Sequence, residues 1–194
     1  MKTKASMRMN CLTKQLTIAA SLMVSGFFSP VTIAEVQDST ADGFTIGFTK
    51  TIAADTEQVY RALTTELPAW WIDAHTWYGS GENMHFDTHV GGCLCEKSTD
   101  RQTMHMQIAK LEPSTHVRLL GGLGPLQGEG VTGVMDWRLA VNETEPEKTT
   151  LTVMYRVGGY TPSDLSQWAN AVDGVLQQQM SAMQTYAEQQ IKDK

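Results

Sequence analysis

Residues 163–191 read SDLSQWANAVDGVLQQQMSAMQTYAEQQI, and this stretch decides the fold. Its apolar residues fall at Leu165, Trp168, Val172, Val175/Leu176, Met183 and Tyr186, the three-and-four spacing that lays one stripe of a helix against a core. The spacing predicts a helix of about 29 residues from Ser163 to Ile191, and Thr161-Pro162 ahead of it supplies a start with proline at the first helical position. Gln179 falls in the middle of the stripe. Burying an amide without partners costs roughly 2 kcal/mol or more, so the surface that Gln179 faces is expected to be partly polar. A long helix on a sheet with something polar between them implies a pocket.

Upstream, the apolar period changes from three-and-four to two. Phe44-x-Ile46-x-Phe48 reads as a first strand after a polar segment, Glu35 to Ala41. Asp55 with Gln58 three residues later signals a capped helix carrying Val59, Tyr60, Ala62 and Leu63. A short second helix is expected around Leu67 to Ile72, with the Trp70-Trp71 pair on it. Strands follow at Met84 to Val90, Cys93 to Lys97, Thr103 to Leu111 and Val117 to Leu120, then an irregular glycine-rich loop from Gly121 to Gly130. Two long strands, Val131 to Val141 and Thr149 to Val157, alternate cleanly. Val131, Met135, Trp137 and Leu139 share one face, as do Leu151, Val153, Tyr155 and Val157, with polar residues opposite. An antiparallel meander with its helices on one face makes an α+β fold.

The first 34 residues are a different kind of sequence. Lys2, Lys4, Arg8 and Lys14 precede an apolar run, Leu16 to Phe28, and Thr32-Ile33-Ala34 is a small-residue cleavage site. This order predicts a secretory signal, residues 1–34, and a periplasmic or secreted mature domain, 35–194. The apolar run is shorter than the roughly 20 residues a membrane-spanning helix needs, and nothing else resembles a span. Removing the four signal cations from 15 Lys+Arg, against 21 Asp+Glu, leaves the mature chain at a net charge of −10. That balance argues against nucleic acid or an anionic membrane as partner. No cofactor motif is present, neither a phosphate loop nor a dinucleotide fingerprint.

Cys93 and Cys95 are the only cysteines beyond the signal. In a regular strand their Cα atoms would stand about 6.6 Å apart with side chains nearly parallel, which disfavours a bridge between them unless the strand bulges. They are expected as sheltered thiols. Metal is not expected: His85-x-Asp87-x-His89 reads as a solvated strand face, and Met104 and Met106 lie opposite His105 by alternation. Trp71, Phe86, Trp137, Tyr155 and Trp168 could line a ligand cavity or simply pack a core. Val172, Gln179 and Met183 would face that cavity from the helix.

The chain resembles the START-like superfamily, also called the birch-pollen-allergen or polyketide-cyclase fold, and within it bacterial proteins similar to the heat-shock-chaperone ATPase activator domain. The matching stretches are Trp70-Trp71, Gly91 to Glu96, His105, Leu123 to Gln127, Tyr155 to Tyr160 and Val172-Asp173-x-Val175-Leu176-x-x-Gln179. The resemblance implies a helix-grip architecture: a curved antiparallel sheet around the C-terminal helix, with two short helices after the first strand and an apolar cavity that in relatives binds lipids, hormones or polyketides. It also implies that Leu94 faces the cavity. An even-length hairpin at Ser98 to Arg101 pairs Glu96 with Thr103 and Leu94 with His105, so Leu94, Glu96 and His105 share a face, the sulfur residues taking the other. Apolar patterning alone would bury the sulfur face, whereas the resemblance buries the Glu–His face, and the latter is adopted. Three functions stand beside one another: an exported binder of a hydrophobic small molecule, a cyclase, hydratase or hydrolase using Glu96 and His105 as acid and base, and a protein-interaction module.

Overall fold

The computed structural model describes residues 35–192. The expected signal segment, 1–34, lies outside the described residues. Eight strands form one antiparallel sheet: β1 (Glu35–Thr40), β2 (Gly43–Ile52), β3 (Met84–Phe86), β4 (Cys93–Lys97), β5 (Gln102–Glu112), β6 (His116–Leu120), β7 (Thr132–Val141) and β8 (Thr149–Gly158). Their spatial order is β1-β2-β8-β7-β6-β5-β4-β3. Helix α1 (Thr56–Thr64) follows β2, and α2 (Ser166–Lys192) ends the domain. None of the described helices is long and apolar enough to cross a membrane.

Local chemistry accounts for the main elements. At the start of α1, Gln58 N donates to Asp55 Oδ1 at 2.8 Å and Asp55 N donates to Gln58 Oε1 at 3.2 Å. This reciprocal cap satisfies two otherwise orphaned donors. The inner faces of β7 and β8 bury Met135, Trp137, Leu139, Leu151, Val153, Tyr155 and Val157, and α2 answers with Leu165, Ala169, Leu176, Met180, Met183 and Ala187. The core therefore sits between the sheet and α2.

Four expectations need correction. The polar segment Glu35–Thr40 is a strand, paired to β2 along the sheet edge, where one solvated side needs no apolar alternation. β3 stops at Phe86 rather than Val90, because the Asp87 N–H turns to the Cys93 carbonyl and the His89 N–H closes on Asp87. The second helix is a single 3-10 turn, Leu67–Ala69. α2 begins at Ser166 rather than Ser163, where the Asp164 carboxylate receives the Ser166 N–H at 3.0 Å and its hydroxyl at 2.6 Å.

The cysteines also depart from expectation: Cys93 and Cys95 form a disulfide, with Cα atoms 5.4 Å apart. The register beside it is irregular. Glu96 pairs with Thr103 and Cys95 with Met104, but Leu94 pairs with Met106, so β5 carries one extra residue, His105, opposite that step. A second extra residue, Ala109, falls in β5 against β6. A bulge bends and twists the strand that carries it, so β5 curls the sheet beside the bridge. Because the bridge closes a loop of only three residues, its removal by Cys93→Ser with Cys95→Ser is expected to cost only about 1.5 kcal/mol on the chain-entropy scaling. Denaturant unfolding of the double variant checks this, and a loss above about 4 kcal/mol would show that the bridge does more than close a short ring.

Candidate functional site

Between the sheet and α2 lies a cavity of about 360 Å³. Leu94, His105, Met135 and Trp137 line it from the sheet. From α2 come Trp168, Val172, Val175, Leu176, Gln179 and Met180, with Ala171 at the side. Two loops close it: the 71–77 segment through Trp71, Ala74, His75, Thr76 and Trp77, and the 123–125 segment. The wall is mainly apolar. Neither lysine, arginine nor any carboxylate is on it.

Each loop is held by a buried polar side chain. Tyr155 accepts the Leu123 N–H at 2.9 Å and donates to the Gly121 carbonyl at 3.0 Å, which pins the 121–125 segment over the sheet. Burial pushes the phenol up to about 12, against the Leu123 hydrogen bond, so the hydroxyl stays protonated and can donate. Gly133 makes room for this ring, since a Cβ there would stand 2.6 Å from it. On the other side, Gln179 Oε1 accepts the Ile72 N–H at 3.1 Å, and Gln178 meets His75 at 3.1 Å. Gly81 passes so close to the Trp71 carbonyl that no Cβ fits.

Glu96 is fully buried and takes three donors on two oxygens. Trp77 N donates to Oε2 at 2.8 Å, Tyr78 N to Oε1 at 2.6 Å, and His105 Nε2 lies 3.2 Å from Oε2. His105 is itself buried, with the Trp77 ring edge-on at 5.8 Å. Burial lowers the imidazole pKa, outweighing the hydrogen bond and charge of Glu96, which raise it. The neutral ring with its proton on Nε2, toward Glu96, leaves Nδ1 as an acceptor.

The structure brings Trp71, Leu94, His105, Trp137, Trp168, Val172 and Gln179 to one wall. It does not bring Phe86, Tyr155, Met183 or Glu96 to it. Phe86 stacks on Trp137 at 6.4 Å, away from the opening, and Met183 is packed in the core one turn beyond Gln179. Tyr155 is spent on the 121–125 loop, and Glu96 sits behind His105. The hairpin parity holds at Glu96 and Thr103, then fails at the bulge. Leu94 therefore faces Met106 rather than His105, and Met106 turns inward with it while Met104 is exposed. Sequence reasoning missed Met135 and Met180, which continue the β7 and α2 apolar patterns, and Trp77, whose loop has no periodicity to read. Asp87, Cys93 and Cys95 lie close enough to share an ion, but the two sulfurs are bonded to each other.

No family model matches the chain, and no curated protein matches it. Solved structures do. An uncharacterized protein from Rhizobium leguminosarum superposes with a TM-score of 0.55 at 12% identity, covering 76% of this chain and 96% of that one. Ara h 8.0201 gives 0.53 at 10% identity over 75% and 97%. SA2116 from Staphylococcus aureus, of unknown function, gives 0.52 at 15% identity over 79% and 98%. At such identities the likeness is one of fold. Eight antiparallel strands curved around one long C-terminal helix, matched over nearly the full length of those structures, give this chain the helix-grip α+β fold.

Proposed function

We propose that this chain is an exported protein that binds a hydrophobic small molecule in the cavity under α2. The observation that carries the reading is the 360 Å³ space itself, walled by aromatic and aliphatic side chains with a few buried polar groups, a composition typical of small-molecule sites. Export rests on the basic, apolar and small-residue order of residues 1–34, and a disulfide suits an oxidising compartment. Intact mass of extracytoplasmic material is expected to begin at Glu35. Residues 1–34 still attached would overturn the cleavage.

Native mass spectrometry of protein purified from its own host is expected to show a co-purified apolar molecule. Val175, half-buried on the cavity wall, provides the control. Val175→Trp places an indole in the space and is expected to weaken binding by at least about tenfold while the fold survives, because the added ring enters a void rather than packed core. Undiminished binding by this variant would move the ligand elsewhere.

A second reading, a cyclase, hydratase or hydrolase, is favoured by one observation. His105 stands on the wall with Glu96 behind it, the arrangement in which a carboxylate orients an imidazole for proton transfer. Turnover that follows the imidazole's protonation and disappears in His105→Phe would support it over simple binding.

A further inference from the structure

Three cavity-wall side chains keep a nitrogen without a hydrogen-bond partner among the described residues: His105 Nδ1, Trp137 Nε1 and Gln179 Nε2. All three are at least nine-tenths buried, at 5%, 2% and 1% exposure. They come from β5, β7 and α2, so no single local accident produces them. Their hydrogen-bonding roles are fixed by what their other atoms do. An indole N–H can only donate. Gln179 spends its oxygen on the Ile72 N–H, which turns the amide NH2 the other way as a donor. His105 holds its proton toward Glu96, so Nδ1 offers a lone pair. The same wall carries no lysine, arginine or carboxylate, and its second imidazole, His75, meets Gln178.

We infer that the ligand is an uncharged hydrophobic molecule bearing carbonyl-type oxygen, received by the Trp137 and Gln179 N–H groups, and a hydroxyl given to His105. The inference rests on the cavity being a ligand site and specifies what that site selects. Leaving a buried donor unmet costs on the order of a tenfold change in affinity or more, so a plain hydrocarbon of the same shape forgoes that stabilisation. An anionic head group fares worse. It would lose its hydration against a mainly apolar wall without a lysine or arginine, in a protein whose mature chain already carries a net charge of −10.

The test uses four probes of one shape, measured by calorimetry near neutral pH: 2-ethylnaphthalene, 2-acetylnaphthalene, 6-acetyl-2-naphthol and the anion 2-naphthoate. With wild-type protein, 2-acetylnaphthalene is expected to bind at least about tenfold more tightly than 2-naphthoate, and 6-acetyl-2-naphthol more tightly still. Trp137→Phe, which leaves both loop tethers in place, is expected to weaken 2-acetylnaphthalene by about tenfold, with 2-ethylnaphthalene changed less than about twofold. His105→Phe is expected to erase only the advantage of the naphthol. The wild-type ranking needs no variant to fold. Naphthoate binding as tightly as the ketone, or a Trp137→Phe variant that weakens ketone and hydrocarbon equally, would overturn the inference and leave the cavity a general hydrophobic site. Failure of all four probes to bind would overturn both this inference and the ligand-binding reading.

Discussion

Glu96→Ala is expected to lower the unfolding free energy by about 4 kcal/mol. The carboxylate receives the Trp77 and Tyr78 N–H groups and faces His105 Nε2, all from a position with no exposed surface. Its removal strands three donors, each worth about 1–3 kcal/mol when buried without a partner, and water entering beside the half-exposed Trp77 recovers part of that. Glu96→Gln should cost less, about 2 kcal/mol, because one carbonyl oxygen survives to accept. Denaturant unfolding measures both. Hydrogen exchange supplies an independent readout: the Trp77 and Tyr78 amides should exchange much faster in Glu96→Ala while the β7 amides keep their protection until global unfolding. An alanine variant within about 1 kcal/mol of wild type would show that the 71–80 loop holds itself in place.

Trp70→Ala should cost a similar amount, about 4 kcal/mol, by a different route. The indole is buried against α1, donates its Nε1–H to the Ala62 carbonyl at 2.7 Å and packs on Trp71 with ring centroids 5.4 Å apart. Truncation leaves a void beneath the residue that carries the cavity rim, and takes one hydrogen bond from the end of α1. Trp70→Phe keeps most of the volume and loses the donor, so it should cost about 1–2 kcal/mol. Thermal or denaturant melting of the two variants separates packing from hydrogen bonding. Equal losses for alanine and phenylalanine would assign the whole effect to the Ala62 bond.

The parts of this fold that could be read from the chain are those governed by a period. The apolar stripe of α2 and the alternation of β7 and β8 each repeat often enough to point at a common core, and the Asp55/Gln58 box marks α1 by local chemistry alone. What could not be read depends on one residue out of step. His105 is the extra residue in β5, and that one insertion turns Met106 inward and gives Leu94 a different partner. A period-two argument has no term for it. The cavity rim was unreadable for another reason. Trp77 is placed by a hydrogen bond to Glu96, nineteen positions away, and the Ile72 segment by Gln179, at a separation of 107. Gln179 itself was visible as a polar interruption in an apolar stripe, although only the partner of its oxygen reveals which way its nitrogens point.

Among the described residues the sheet ends at β1 on one margin and β3 on the other, and both are unsuited to recruiting another chain. β1 is kinked by an extra residue at Gln37 and carries the exposed Asp38, so an approaching strand would meet broken spacing and a negative charge. At the opposite margin β3 offers only three residues, too few to template a stable ladder. Backbone-to-backbone aggregation is thereby discouraged at both ends of a structure that must otherwise tolerate a hollow interior.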